Sequence, residues 1–263
     1  MTDIQVGFIS SWGDEPQVLL NQYSQLTPNN SGTWKNIIGS QDIKLSDYIV
    51  CLDRPSISHA NSIHFRREPN IIKPWISPPS CLSNFDYSSK HKYHVCTRTP
   101  GPYSSLKTKS YIKKNKHISV VSSDKHLHRT SFIKSIIANF ADHIDYFGNI
   151  FTGQSVTSEQ RQNAFSQYSM SICIENCAQE NYFTEKITDC LLSWCMPLYW
   201  GCPNIDQFLP GGSYRPINLN QPDQIMEIAN KPISNQEIQA MQEARNLILN
   251  KYNIWPTIHN ILS

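Results

Sequence analysis

Met170, Ile172 and Ile174 alternate with Ser169, Ser171 and Cys173, the period of two expected of a strand. Glu175-Asn176 ends that run. Thr184 opens a helix in which Ile187, Leu191 and Trp194 recur at helical spacing. Met196 to Trp200 is a second short apolar strand, stopped by Gly201 and Pro203. Upstream, the same patterns predict strands at Ile4–Ile9, Asp47–Leu52, Ser62–Arg66, Ile118–Val121 and Ile144–Phe147. Helices are expected at Pro16–Leu26 and at Arg129–Phe140, where Phe132, Ile133, Ile136, Ile137 and Phe140 make one stripe. Ser234-Asn235-Gln236-Glu237 is a capping-box signature. It starts a helix with Ile238, Met241 and Leu247 or Ile248 facing inward. Trp255-Pro256 is expected to break it before a short last helix. Residues 71–103 lack periodicity and are rich in Pro, Ser, Tyr and His, which reads as loops with short strands.

Strands alternating with helices imply an α/β protein with parallel sheets. Two such units are expected, 1–105 and 106–263, the second including the C-terminal helices. No internal sequence repeat is visible.

Hydrophobic residues are 39% and charged residues 17% of the 263, which excludes a disordered chain and allows real cores. A net charge of +2 gives no general argument for a nucleic-acid surface. The eight cysteines form no CxxC pair and no zinc pattern, and several fall inside predicted elements. They read as reduced thiols, with a cytoplasmic location expected. Met1 to Trp12 does not read as a signal peptide, and no apolar run is long enough for a transmembrane segment. Asn29-Asn30-Ser31 is a formal glycosylation sequon, but with no secretory signal read in Met1 to Trp12 a turn is the expectation. Asp145 and Asp189 are isolated and no DxD triplet occurs, so no metal site is expected.

The polar residues gather at element junctions. Glu185 and Lys186 fall in a first helical turn, beside exposed main-chain N–H groups. That place suits a phosphate, because the amides and the dipole favour an anion and Lys186 adds a full charge. The ordinary alternative is that Glu185 complements the dipole and Lys186 is a solvated surface residue. In open α/β sheets, ligands sit outside the carboxyl ends of strands, where this loop belongs.

The match to E-N-(x5)-Y-x-T-E-K, then a helix and P-x-Y-W-G-x-P, spans Ile174 to Asn204 without a gap. The pattern resembles the donor-site motif of glycosyltransferase family 10, the α1,3/α1,4-fucosyltransferases, with the likeness closest to bacterial-type members. The resemblance implies a GT-B architecture, two Rossmann-like domains with parallel sheets facing across a cleft. It implies an inverting enzyme that moves fucose from GDP-fucose, a donor substrate and no resident cofactor, to a hydroxyl of a glycan acceptor. The N-terminal half would hold the acceptor and the base, and the C-terminal half the nucleotide sugar. Lys186 and Arg129 are then the cations for the diphosphate, with Arg129 reached from a Ser-Ser loop where the family has Ser-Asn. Tyr182 and Glu185 would contact the nucleotide sugar, and Asn176 would position the loop or touch the nucleotide. Glu68, at the end of a short strand in Arg66-Arg67-Glu68-Pro69, is the expected general base, with Asp53 as its rival. The same scaffold with another nucleotide sugar, or a catalytically silent glycan- or nucleotide-binding module, are the alternatives.

Overall fold

Val6, Phe8, Val50, Leu52, Ile63 and Phe65 are buried to 2% exposure or less. They come from short apolar runs whose two faces are both covered, as parallel strands require. In the computed structural model, residues 2–53, 61–65, 67, 85–86 and 96–263 are described. They divide into two units, Met1–Thr108 with Ile248–Ser263, and Lys109–Leu247.

In the first unit, β1 is Ile4–Ser10, α1 Pro16–Ser24, β2 Thr33–Trp34, β3 Ile37–Gly39, β4 Tyr48–Leu52, β5 Ser62–Phe65, β6 Phe85–Asp86 and α2 Tyr103–Thr108. The sheet runs β2-β3-β1-β4-β5-β6, and only the β2–β3 pairing is antiparallel. Pro16 stands at the first position of α1, where a missing N–H costs nothing.

The second unit contains β7 Lys116–Ser122, α3 Leu127–Phe140, β8 Ile144–Gly148, α4 Ser158–Ser166, β9 Tyr168–Ile174, α5 Glu185–Leu192, β10 Met196–Trp200, β11 Arg215–Pro216, α6 Gln224–Ala229 and most of α7, Asn235–Asn250. Its sheet is wholly parallel, in the order β11-β10-β9-β7-β8. Apart from the β2 edge, the two sheets share one strand order. In each, the first strand lies between the second and the third, so the order reverses beside it. Helix C-terminal carbonyls in this unit are met by the half-buried Lys114 and the buried Arg245. Lys114 Nζ donates to Phe165 O at 2.6 Å and Ser193 O at 2.8 Å. Arg245 donates to Leu191 O at 3.1 Å and to Leu192 O, with its guanidinium over the Trp194 ring.

The last helix, α8 Ile254–Leu262, differs from expectation in two ways. Trp255-Pro256 does not break a helix. It forms the first turn of α8, where the N–H that proline lacks would have no helical acceptor. Asn253 caps that turn, its Oδ1 accepting from Trp255 N at 3.2 Å. The helix also belongs to the first unit, whose core takes in Ile254, Trp255 and Ile258. Trp255 is fully buried against Phe8, with ring centroids 5.4 Å apart, and its Nε1 donates to Tyr23 O at 2.8 Å. A large apolar face with a satisfied indole N–H outweighs chain proximity in deciding where α8 belongs. The helix after Thr184 stops at Leu192, because Trp194 takes a left-handed φ of 56°. α4 was not foreseen. Its sequence SEQRQNAFS is almost wholly polar, and only Ala164 and Phe165 are buried.

Candidate functional site

In the second sheet the strand order reverses between β7 and β9, and doubly wound sheets hold ligands beyond the carboxyl ends at such a point. The chain leaves β7 through Ser122-Ser123 and enters α3, whose third residue is Arg129. Arg129 is only 5% exposed. Its Nη1 donates to Asn176 Oδ1 at 3.0 Å and its Nη2 to Ser123 Oγ at 3.2 Å. Both acceptors are neutral. Among the described residues no carboxylate forms a salt bridge with Arg129, and its buried Nε has no hydrogen-bond partner. Burial pushes its pKa down, with Glu175 acting in the opposite sense. A buried cation bonded only to neutral oxygens is expensive unless an anion completes it.

The chain leaves β9 through Glu175, which is fully buried. Glu175 N continues the sheet by donating to Trp200 O at 2.9 Å. Its carboxylate accepts from Thr184 N at 2.8 Å and Thr184 Oγ1 at 2.7 Å, which folds the 175–184 loop back onto the strand end. Gly201 allows this approach. A Cβ there would stand 2.7 Å from Tyr199 Oη and 2.8 Å from Glu175 Cβ. Thr184 is the N-cap of α5. Its hydroxyl also accepts from Lys186 Nζ at 3.1 Å.

Lys186 Nζ lies 3.3 Å from Glu175 Oε2 and 3.8 Å from Glu185 Oε1. Burial alone would lower its pKa, but the two carboxylates outweigh burial and raise it. Glu185 is also held by Arg161 of α4, Nη2 to Oε1 at 3.2 Å, and Arg161 Nε reaches Asp189 Oδ2 at 3.8 Å. Burial would raise the Glu185 pKa, yet Lys186, Arg161 and its own main-chain amide bring it down to about 2. Glu175 goes the other way, because desolvation outweighs Lys186. Tyr182 is fully buried within the loop, near enough to Arg129 to influence its proton affinity. Asn181 and Asn204 clamp the loop from outside, Asn204 Nδ2 donating to Asn181 Oδ1 at 2.9 Å and Asn181 N to Asn204 Oδ1 at 2.8 Å.

Arg129, Asn176, Tyr182, Glu185 and Lys186 thus gather at one strand-end loop, together with Glu175. Sequence reading missed Arg161, took Ser123 only as part of the Ser-Ser loop, and took Gly201 only as a strand stop. Thr157 and Gln160 form a capping box, a signal that would have placed α4 and so Arg161. His128 was also passed over. Its ring lies on Trp200, centroids 5.3 Å apart, and burial pushes the neighbouring His126 pKa down, helped by Arg129.

In the first unit, Glu68 lies outside the described residues. Asp53 follows the last residue of β4, is 3% exposed and takes a left-handed φ of 64°. Its Oδ1 accepts from Arg67 N at 2.9 Å and its Oδ2 from Arg67 Nε at 2.8 Å. Among the described residues, no group of three or more His, Cys, Asp or Glu side chains could hold a metal ion, and no helix is long and apolar enough to cross a membrane.

Residues 111–237 match the family described as glycosyltransferase family 10 (fucosyltransferase) C-term. The chain is 29% identical over 139 residues to the α-(1,3)-fucosyltransferase FucT of Helicobacter pylori, covering 44% of this chain and 29% of that one. It is 27% identical over 191 residues to α-(1,3)-fucosyltransferase B of Drosophila melanogaster, covering 68% of this chain and 39% of that one. The matches thus span less than half the length of either relative. A crystal structure of an α1,3-fucosyltransferase superposes with a TM-score of 0.56 at 16% identity, covering 93% of this chain and 82% of the other. That last likeness is one of fold, an α/β protein with two parallel-sheet units of the GT-B class.

Proposed function

We propose that this chain, whose residues 111–237 match the glycosyltransferase family 10 model, transfers fucose from GDP-fucose to a hydroxyl of a glycan acceptor. The configuration at the anomeric carbon inverts. The observation that carries this reading is Arg129, a buried guanidinium without a carboxylate partner among the described residues, beside Lys186 and the N-terminus of α5. That is a site built for a diphosphate. The relatives' printed activity, α-(1,3)-fucosyl transfer, supports fucose as the sugar.

In this reading Arg129 offers its planar fork to two phosphate oxygens, and Asn176 and Ser123 hold the fork in place. Lys186 supplies the second charge. Negative charge builds on the diphosphate as the glycosidic bond breaks, and donors fixed beforehand stabilise it without reorganisation. Glu185, kept ionised by Lys186 and Arg161, accepts from hydroxyls of the sugar or ribose. Tyr182 forms the floor of the loop. Glu68 takes the proton of the attacking hydroxyl. Asp53 suits that task less, because its two oxygens already accept from Arg67.

The test is GDP binding by titration calorimetry. Arg129→Ala is expected to weaken GDP by ~10–100-fold, the worth of hydrogen bonds to a charged group. Its melting temperature should not fall, since an uncompensated buried charge is removed. Lys186→Ala should act on the same ligand, and the double variant should lose less than the sum, as expected for two groups on one diphosphate. GDP affinity equal to the parent's in Arg129→Ala would refute the donor-site assignment.

A further inference from the structure

α4, α5 and α8 each begin with a side chain that accepts from a first-turn N–H, Thr157 from Gln160 N, Thr184 from Lys186 N and Asn253 from Trp255 N. α3 does not. Its N-cap is His126, whose side chain bonds to none of these N–H groups. Histidine is not one of the residues favoured there, and the favoured ones owe their place to that bond. α4, α5 and α7 also carry a glutamate in the first turn, Glu159, Glu185 and Glu237. The first turn of α3 has no acidic residue and holds Arg129 instead. The positive end of this 14-residue helix is thus met by a cation, the reverse of ordinary complementation. Arg129 is an independent sign that an anion belongs here, since it is 5% exposed and its buried Nε has no hydrogen-bond partner.

His126 precedes Arg129 by three residues, the spacing that sets side chains on one side of a helical turn. Its ring is half-buried, with the His128 ring 6.1 Å away between centroids. Burial, then Arg129, His128, Lys186 of α5 and Lys125, all disfavour its charged form. The nearby carboxylates are engaged elsewhere. Asp124 Oδ1 accepts from Asn149 Nδ2 at 2.9 Å, Glu175 from Thr184, and Glu185 from Arg161. The ring is therefore held neutral near pH 7 by cations gathered for another purpose. A diphosphate that neutralises those cations reverses the balance.

We propose that His126 is a further donor-binding residue, one that takes a proton from solvent as the diphosphate arrives and then donates a charged hydrogen bond to it. This role rests on the donor-site reading above. The proton returns to solvent when GDP leaves. Negative charge on the diphosphate grows as the bond to fucose breaks, so the protonated ring binds the transition state better than the ground state. Arg129 and Lys186 bring fixed charges, whereas His126 brings one that appears only with the ligand.

The test is titration calorimetry with GDP-fucose in the absence of acceptor, in buffers of different ionisation enthalpy. GDP-fucose is the clean probe, because both its phosphates are esterified and exchange no proton near neutrality, unlike the terminal phosphate of GDP. The parent should take up a sizeable fraction of a proton on binding and should bind roughly tenfold more tightly at about pH 6 than at about pH 8. His126→Asn places a favoured N-cap residue there, so folding is secure, but cannot carry charge. It should take up no proton, match the parent at about pH 8 and bind roughly tenfold more weakly at about pH 6. His126→Lys, charged at both values, should bind as tightly at about pH 8 as at about pH 6. His128→Asn should keep the uptake. If the parent binds GDP-fucose without taking up a proton, if His126→Asn takes up as much as the parent, or if the uptake vanishes in His128→Asn instead, His126 does not have this role. If GDP-fucose binds neither the parent nor any variant, the donor-site reading itself has failed and the role of His126 falls with it.

Discussion

Glu175 and Glu185 share one ammonium group, yet their proton affinities diverge. Glu175 is sealed against the strand end, so desolvation dominates and its pKa rises. Glu185 has two cations and a helix N-terminus, which overcome burial and depress its pKa from 4.5 to about 2. A depressed folded-state value means that the stability Glu185 contributes is present above 4.5 and is lost as pH falls towards 2. The stability gap between the parent and Glu185→Gln should therefore narrow across that interval, as read by urea midpoints in a pH series. A gap that does not change with pH would show that Glu185 gains nothing from its cations. Asp53 and Glu68 pose a different residue question. Glu68→Gln should keep GDP affinity and lose turnover by ~10²–10⁴-fold, the usual worth of a positioned base. Asp53→Asn should chiefly cost stability, because it breaks the pairing with Arg67. Loss of turnover in Asp53→Asn beside an active Glu68→Gln would exchange their roles.

At the scale of elements, the loop from Glu175 to Thr184 depends on one hydroxyl. Thr184 Oγ1 donates to Glu175, accepts from Lys186 Nζ and caps α5. Thr184→Val keeps the shape and removes all three contacts, leaving a buried carboxylate short of a donor. A loss of about 1–3 kcal/mol is expected, restored in Thr184→Ser, with chemical denaturation as the measurement. An unchanged midpoint in Thr184→Val would mean that the loop closes without this hydroxyl. The motif made this loop legible from sequence, because Glu175, Tyr182, Glu185 and Lys186 lie close together along the chain. The central strands were legible for a related reason, since burial on both faces leaves apolar runs such as Val50-Cys51-Leu52. α4 was not, because one turn of apolar contact at Ala164 and Phe165 leaves no period to read. The Asp53–Arg67 pair was hidden for another reason. Its members are 14 residues apart on successive strand ends, and only parallel pairing brings them together.

At the scale of the molecule, the first unit is discontinuous. Trp255 fills its core between Phe8 and Tyr23, and Asn253 Nδ2 ties the α8 entry to Leu26 O at 2.7 Å. Trp255→Ala should cost about 3–5 kcal/mol, the range for deleting a large buried aromatic side chain. The damage should fall on the first unit. Limited proteolysis should cut within Met1–Thr108 before Lys109–Leu247, and early cleavage confined to the second unit would contradict this assignment. The same discontinuity governs the order of events at the ribosome. Chains usually fold their N-terminal domain first as it is synthesised. Here the earliest residues to emerge cannot close their core until Trp255 follows, after the whole of Lys109–Leu247 has already left the exit tunnel. The nascent first half must wait with Phe8 and Tyr23 uncovered, while the later-made half is free to mature ahead of it.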